Sequence, residues 1–110
     1  MSLDFYLQYT CDENEITVFD RNITHNLGTM ADEASIYHAL WRPEGKGYKI
    51  AKDITKVLEV GLRKLKTKPK HFQKFDSPNG WGMYEHFVPF VQEVLDACYK
   101  YPNAKIYSSV

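Results

Sequence analysis

Two long apolar stripes at helical spacing restrict the fold of this chain more than any other feature. Ile50, Ile54, Val57, Leu58, Gly61, Leu62 and Leu65 share one face of a segment from Tyr48 to Lys66. Tyr84, Phe87, Val88, Val91, Val94, Leu95 and Cys98 repeat the period from Met83 to Lys100. Lys52, Lys56, Arg63 and Lys66 fall mainly on the other side of the first stripe. Gly61 is the exception within its stripe. A mid-helix glycine is unfavourable, so its place on the buried face implies that another backbone comes close there. Pro89 must lie in the first turns of its helix or bend it.

Strand signals bracket these helices. Leu3 to Tyr9 alternates imperfectly and is rich in aromatics, and Glu15 to Asp20 is rich in β-branched residues. The short turn between them predicts an antiparallel hairpin. Ala104 to Ser109 reads as a final strand. A further helix is expected from Thr29 to Leu40, because Met30, Ala34, Tyr37 and Trp41 share a face and Ile36 and Leu40 widen it. Thr29 reads as its N-cap, with Asp32 at the capping-box position, and Pro43 ends it. Lys70 to Phe75 reads as a short helical turn anchored by Phe72 and Phe75. The expected fold is α+β: one domain over residues 1–110, with a three-stranded, mostly antiparallel sheet covered by three helices in the order ββαααβ. A chain of 110 residues can bury one core without metal or disulfide help.

Composition narrows the function classes. The formal net charge is zero, which argues against generic nucleic-acid binding by the whole domain. The charge is uneven, however. Residues 1–45 carry eight acids and two bases, and residues 46–76 carry ten bases and three acids. The basic stretch is either a solvated helix face or a patch for an acidic partner. Aromatics reach 15%, more than a short core can fully hide, so some Tyr and Trp are expected to face a groove or a partner. Cys11 and Cys98 form no CxxC pair and no disulfide framework; Cys98 reads as buried and Cys11 as exposed. Neither a signal-peptide pattern nor a run of transmembrane length is seen, so a cytoplasmic location without membrane partners is expected. The Asn22-Ile-Thr24 sequon is then a chance match.

Three polar–aromatic segments at predicted helix ends are the candidate site. In Asn22-Ile-Thr-His-Asn26, the side chains of Asn22, Thr24, His25 and Asn26 gather where a strand meets a helix start, which suits a phosphate or carboxylate. The competing reading is that they satisfy loop backbone and cap the helix. Trp41 and Arg42, in Leu40-Trp-Arg-Pro43, suit anion capture or cation–π stacking; the competing reading is a local salt bridge from Arg42. Asn79-Gly-Trp-Gly82 places Trp81 on a tight turn with Asn79 beside it, and Tyr84 and Glu85 follow within a turn. Trp81 then stacks on a base or sugar, or plugs the core.

On these segments the chain resembles a group of small bacteriophage and bacterial proteins that share the patterns carried here by Asn22-Ile-Thr-His-Asn26, Leu40-Trp-Arg-Pro43 and Asn79-Gly-Trp-Gly-Met-Tyr-Glu85. The resemblance covers most of the chain and implies a phage accessory protein, without supplying an activity to transfer. By analogy, small phage proteins of this kind counter host defence, some by sequestering nucleotide immune signals.

The leading expectation is therefore non-catalytic binding of a small, anionic, nucleotide-like ligand. Helix N-termini and Arg42 would hold phosphates, and Trp41, Trp81 and Tyr84 would stack on a base. An alternative is a protein-interaction inhibitor that docks basic residues 49–74 on an acidic host defence protein. A third is a small phosphodiesterase-like enzyme using His25, with His38, Glu33 and Glu85 as further acid–base groups. Against it, HExxH, CxxC, GxSxG and P-loop patterns are absent. His71 and His86 read as surface residues. No metal or cofactor is expected, and self-assembly into a homo-oligomer is left open.

Overall fold

The computed structural model describes residues 2–109 except Asn79 and Trp81, and describes His25 by its backbone alone. The fold is α+β. Strand β1 (Ser2–Cys11) and strand β2 (Asn14–Thr24) form the expected hairpin, and the last strand, β3 (Lys105–Ser109), pairs antiparallel with the other side of β1. The sheet order is β2-β1-β3. Asp12 and Glu13 both have positive φ, 49° and 70°, so the two-residue turn twists in the sense that antiparallel strands require. The register slips between Leu7, opposite Phe19, and Gln8, opposite Thr17, which leaves Val18 as an extra residue in β2.

Alternation assigns the two faces of the sheet. Leu3, Phe5 and Leu7 are fully buried under the helices, and Ile106 beside Leu7 is largely so. Each such side chain contributes about 1.5–3 kcal/mol through burial. Asp4, Tyr6 and Gln8 occupy the opposite face with their cross-strand neighbours Asn22, Asp20 and Thr17, all half-buried or exposed.

The helices are α1 (Gly28–Glu33), α2 (Tyr37–Leu40), α3 (Ala51–Thr67), α4 (Pro69–Gln73) and α5 (Tyr84–Lys100). The long pair α3 and α5 matches both apolar stripes. The first begins at Ala51 rather than Tyr48, because Ile50 bridges to Lys105 and the Ile106 N–H donates to the Lys49 carbonyl at 3.0 Å, continuing the sheet edge. Asp53 then starts the helix by accepting the N–H groups of Lys49 and Ile50 at 3.0 and 3.1 Å. Those two bonds hold its carboxyl below the usual value of 3.8. Pro89 lies inside α5, in its second turn. Burial alone pushes the Cys98 thiol up to about 12.

Two expectations near the candidate site are corrected. Strand β2 runs on to Thr24, so Asn22 and Thr24 belong to the sheet rather than to a loop before a helix. The helix expected over Thr29–Leu40 is broken into α1 and α2. At the break the Ile36 N–H donates to the Ala31 carbonyl and the Ser35 N–H to the Asp32 carbonyl, both at 2.9 Å. This paired closure needs a left-handed residue, and Ser35 supplies it with φ 64°. Thr29 is not the N-cap either. A 3-10 turn, His25–Leu27, runs directly into α1, and no side chain caps it.

Gly61 explains the break. A Cβ at Gly61 would collide with the Ile36 side chain and approach the Ala34 carbonyl oxygen to 3.1 Å. The close backbone approach implied by the sequence is therefore the corner between α1 and α2, seated on α3.

Candidate ligand-binding cleft

The corner between α1 and α2 encloses one side of an open cleft of about 600 Å³, lined by Asn26, Gly28, Thr29, Asp32, Tyr37, His38 and Trp41. That volume lies within the range of small-molecule sites. The lining comes from three short pieces: the 3-10 turn, α1 and α2. The left-handed Ser35 folds α2 back, so that Tyr37, His38 and Trp41 oppose the first turn of α1. Gly28 lies against the Tyr37 ring, which a Cβ there would meet at 3.4 Å.

Trp41 forms the floor. It is only 2% exposed, its ring lies parallel to Tyr37 with centroids 5.7 Å apart, and it packs against Phe87 of α5 at 6.4 Å. Its Nε1 is buried and has no hydrogen-bond partner among the described residues. An indole N–H can only donate, and an unsatisfied buried donor costs about 1–3 kcal/mol. His38 meets the Tyr37 ring edge-on at 5.4 Å and is itself exposed at the rim. Asp32 is exposed, and its carboxylate makes no hydrogen bond or ion pair among the described residues. No Lys or Arg is among the described lining residues.

Of the residues expected from sequence, Asn26 and Trp41 meet in this cleft. Asn22 and Thr24 do not. Their register opposite Asp4 and Ser2 puts them on the sheet face turned away from Leu3 and Phe5. Arg42 is exposed and follows the cleft floor, its N–H bonded to the His38 carbonyl at 3.2 Å, without lining the cleft. Tyr84 is tied elsewhere: its hydroxyl donates to the Leu65 carbonyl at 2.7 Å and its N–H to the Asp76 carboxylate at 2.6 Å, which joins α5 to α3. Asn79, Trp81 and the His25 side chain lie outside the described residues. The third segment nevertheless reaches the first. Gly82, with φ 90°, abuts the Asn26 side chain so closely that a Cβ would overlap it.

Sequence reasoning missed Thr29, Asp32, Tyr37 and His38 as lining residues. A continuous helix would have spread them over more than one face. Only the reversal at Ser35 turns them toward one another, and a serine in mid-pattern gives little warning of it. His71 is half-buried and bonded to Glu33 at 3.0 Å, whereas His86 is exposed. Among the described residues no three His, Cys, Asp or Glu side chains are grouped to hold a metal ion, and no helix is long and apolar enough to cross a membrane. No known protein family, curated protein or solved structure matches the chain.

Proposed function

We propose that this chain is a non-catalytic binding domain for a small nucleotide-like molecule seated in the cleft between α1 and α2. The observation that carries the proposal is a cleft of ligand dimensions walled by the Tyr37 and His38 rings and floored by Trp41. Arg42 stays outside the lining but stands one turn beyond His38, and Lys46 is exposed on the next turn. Gly45 of that turn lies against His38, since a Cβ there would touch its ring at 3.4 Å. Anionic groups of the ligand are therefore best served at this rim. Binding without turnover fits a sequence that lacks any nucleophile–base or metal spacing.

A thermal-shift screen with cyclic nucleotides and ADP-ribose derivatives tests the reading. Binding is expected, and Arg42→Ala should weaken it for charged ligands. No shift at high ligand concentration, with Arg42→Ala indistinguishable from the parent, would sink it. Chromatography of the incubated ligands separates binding from turnover. The role we propose for such binding is sequestration of a host immune signal. Asp32→Ala and Arg42→Ala variants expressed in cells with a nucleotide-signalled defence should then lose protection.

A second reading is favoured by the basic surface of α3 and α4. Lys52, Lys56, Arg63, Lys64, Lys66, Lys68, Lys70 and Lys74 are all exposed, and none is paired with a carboxylate among the described residues. Lys64 and Lys66 bond only to the neutral Ser35 and Gln92. Such a surface suits an acidic host protein. On this reading Lys56→Glu with Lys64→Glu abolishes activity, and intact activity in that variant rules it out.

A further inference from the structure

We propose that the outer edge of β2 is a docking site for an extended peptide of another protein, one in which basic residues alternate with apolar ones. The peptide adds to the sheet as a fourth strand, in the groove between β2 and α5. This site shares no lining residue with the cleft between α1 and α2.

The two edges of the sheet are unlike. Beside β3, Ile50 bridges to Lys105 and the Lys49 carbonyl accepts the Ile106 N–H, so that edge is covered. At the other edge, β2 runs for 11 residues and its backbone pairs only with β1 among the described residues. An open edge carries a row of backbone N–H and C=O groups that another extended backbone matches. The bulge at Val18 interrupts this row and leaves residues 19–24 as its regular part. A strand that pairs there is short, which suits a peptide segment.

A groove of about 310 Å³ lies beside that edge, with Val18, Phe19, Ala97 and Tyr101 as its apolar lining. Register puts Phe19 and Arg21 on the helix side of the sheet, opposite Leu7 and Phe5. From there Arg21 bonds Glu93 of α5 at 2.6 Å and ties the strand to the helix wall. An added strand turns every second side chain toward this groove. An apolar residue at those positions covers Val18 and Phe19, which are only half-buried.

Charge selects the other side chains. On the open face of the sheet β2 presents Glu15, Thr17, Asp20, Asn22 and Thr24, which include carboxylates and no base. Asp20 is exposed, and its carboxylate makes no hydrogen bond or ion pair among the described residues. Asp4 of β1 adds a further carboxylate to this face, opposite Asn22. Opposite charges directly across a ladder stabilise it and like charges weaken it, so lysine or arginine belongs opposite Asp20. A second copy of β2 offers no base on that face in any register, and the occupant is therefore a different chain.

The test titrates isotope-labelled protein with three capped heptapeptides, in which lysine alternates with valine, isoleucine or phenylalanine. At least one is expected to shift the backbone amides of residues 18–22 and Ala97 while leaving those of α3 in place. Two N-methylated versions of that peptide, one blocked at every lysine and one at every apolar residue, each keep a single free edge. One of them should bind at least about tenfold more weakly, through lost ladder bonds, and the other should retain binding. Asp20→Lys, a change at an exposed site, should weaken the lysine peptide about fivefold and improve a glutamate–valine heptapeptide by a similar factor.

Binding that survives both methylated versions is charge attraction without strand pairing and overturns the proposal. Equal binding of the glutamate–valine peptide by the parent protein overturns it too, as does the absence of any shift at β2 with all three lysine peptides. Amides of β2 that shift only with protein concentration would mark a second copy as the occupant, against the proposal.

Discussion

The long pair α3 and α5 and the corner of α1 and α2 are both helical, yet they are built on different principles. In α3 and α5 each turn repeats the one before, and the apolar period alone assigns the buried face. The corner is held by a single left-handed residue, Ser35, and by the space that Gly61 leaves on another helix. The regular pair supplies stability and the irregular corner supplies the cleft. A cleft of this kind needs side chains from successive turns to face one another, which a straight helix does not allow.

The most disruptive test of this contrast is Gly61→Ala. In an isolated helix the change gains about 1 kcal/mol in propensity. Here the new methyl meets Ile36, which is fully buried and cannot swing away, and the Ala34 carbonyl. A net loss of about 2 kcal/mol in a urea melt is expected, with the Trp41 indole resonance displaced. Pairing it with Ile36→Ala should restore part of the loss relative to the sum of the single changes.

Tyr84→Phe probes the long pair alone. It removes the bond to the Leu65 carbonyl and should cost about 1 kcal/mol, leaving cleft binding unchanged when measured by titration. Ser35→Gly sharpens the comparison in the other direction. It relieves a left-handed side chain and should raise stability by about 1 kcal/mol, with its surface bond from Lys64 as the only loss among the described residues.

The smallest effect is expected from Asp53→Ala, about 0.5–1 kcal/mol at neutral pH from loss of the capping bonds. The folded-state value of Asp53 is depressed, so its contribution is present above the ordinary carboxylate value of 3.8 and is lost as pH falls through the lower folded value. The stability difference between parent and variant should therefore shrink in acid, as followed by melts between neutral pH and pH 3.

The same contrast explains what could be read from the sequence. The hairpin, α3, α5 and β3 were legible because alternation and helical period extend over many residues. Gly61 was legible as a close approach, though not as to which backbone arrives. The break at Ser35 was hidden: Met30, Ala34, Tyr37 and Trp41 satisfy a helical period whether or not the helix continues between them. The end of β2 was hidden too, because Arg21, Asn22 and Thr24 pair through their backbone while their composition reads as a turn. Asn26 and Trp41, which line the cleft, stood out in the sequence because their residue types are unusual at an element end. Asp32 and Tyr37 had structural explanations that concealed them.

The two cysteines are as unlike as the two helical regions. Cys98 is sealed in the core with its thiol held protonated, whereas Cys11 is exposed beside the hairpin turn. A disulfide formed in air is therefore expected at Cys11, where it would join two chains beside their hairpin turns without entering either core. A dimer seen only in the absence of reductant would record that bond, not an assembly the fold was built to make. Cys11→Ser is accordingly the background in which the oligomeric state of this protein is to be measured.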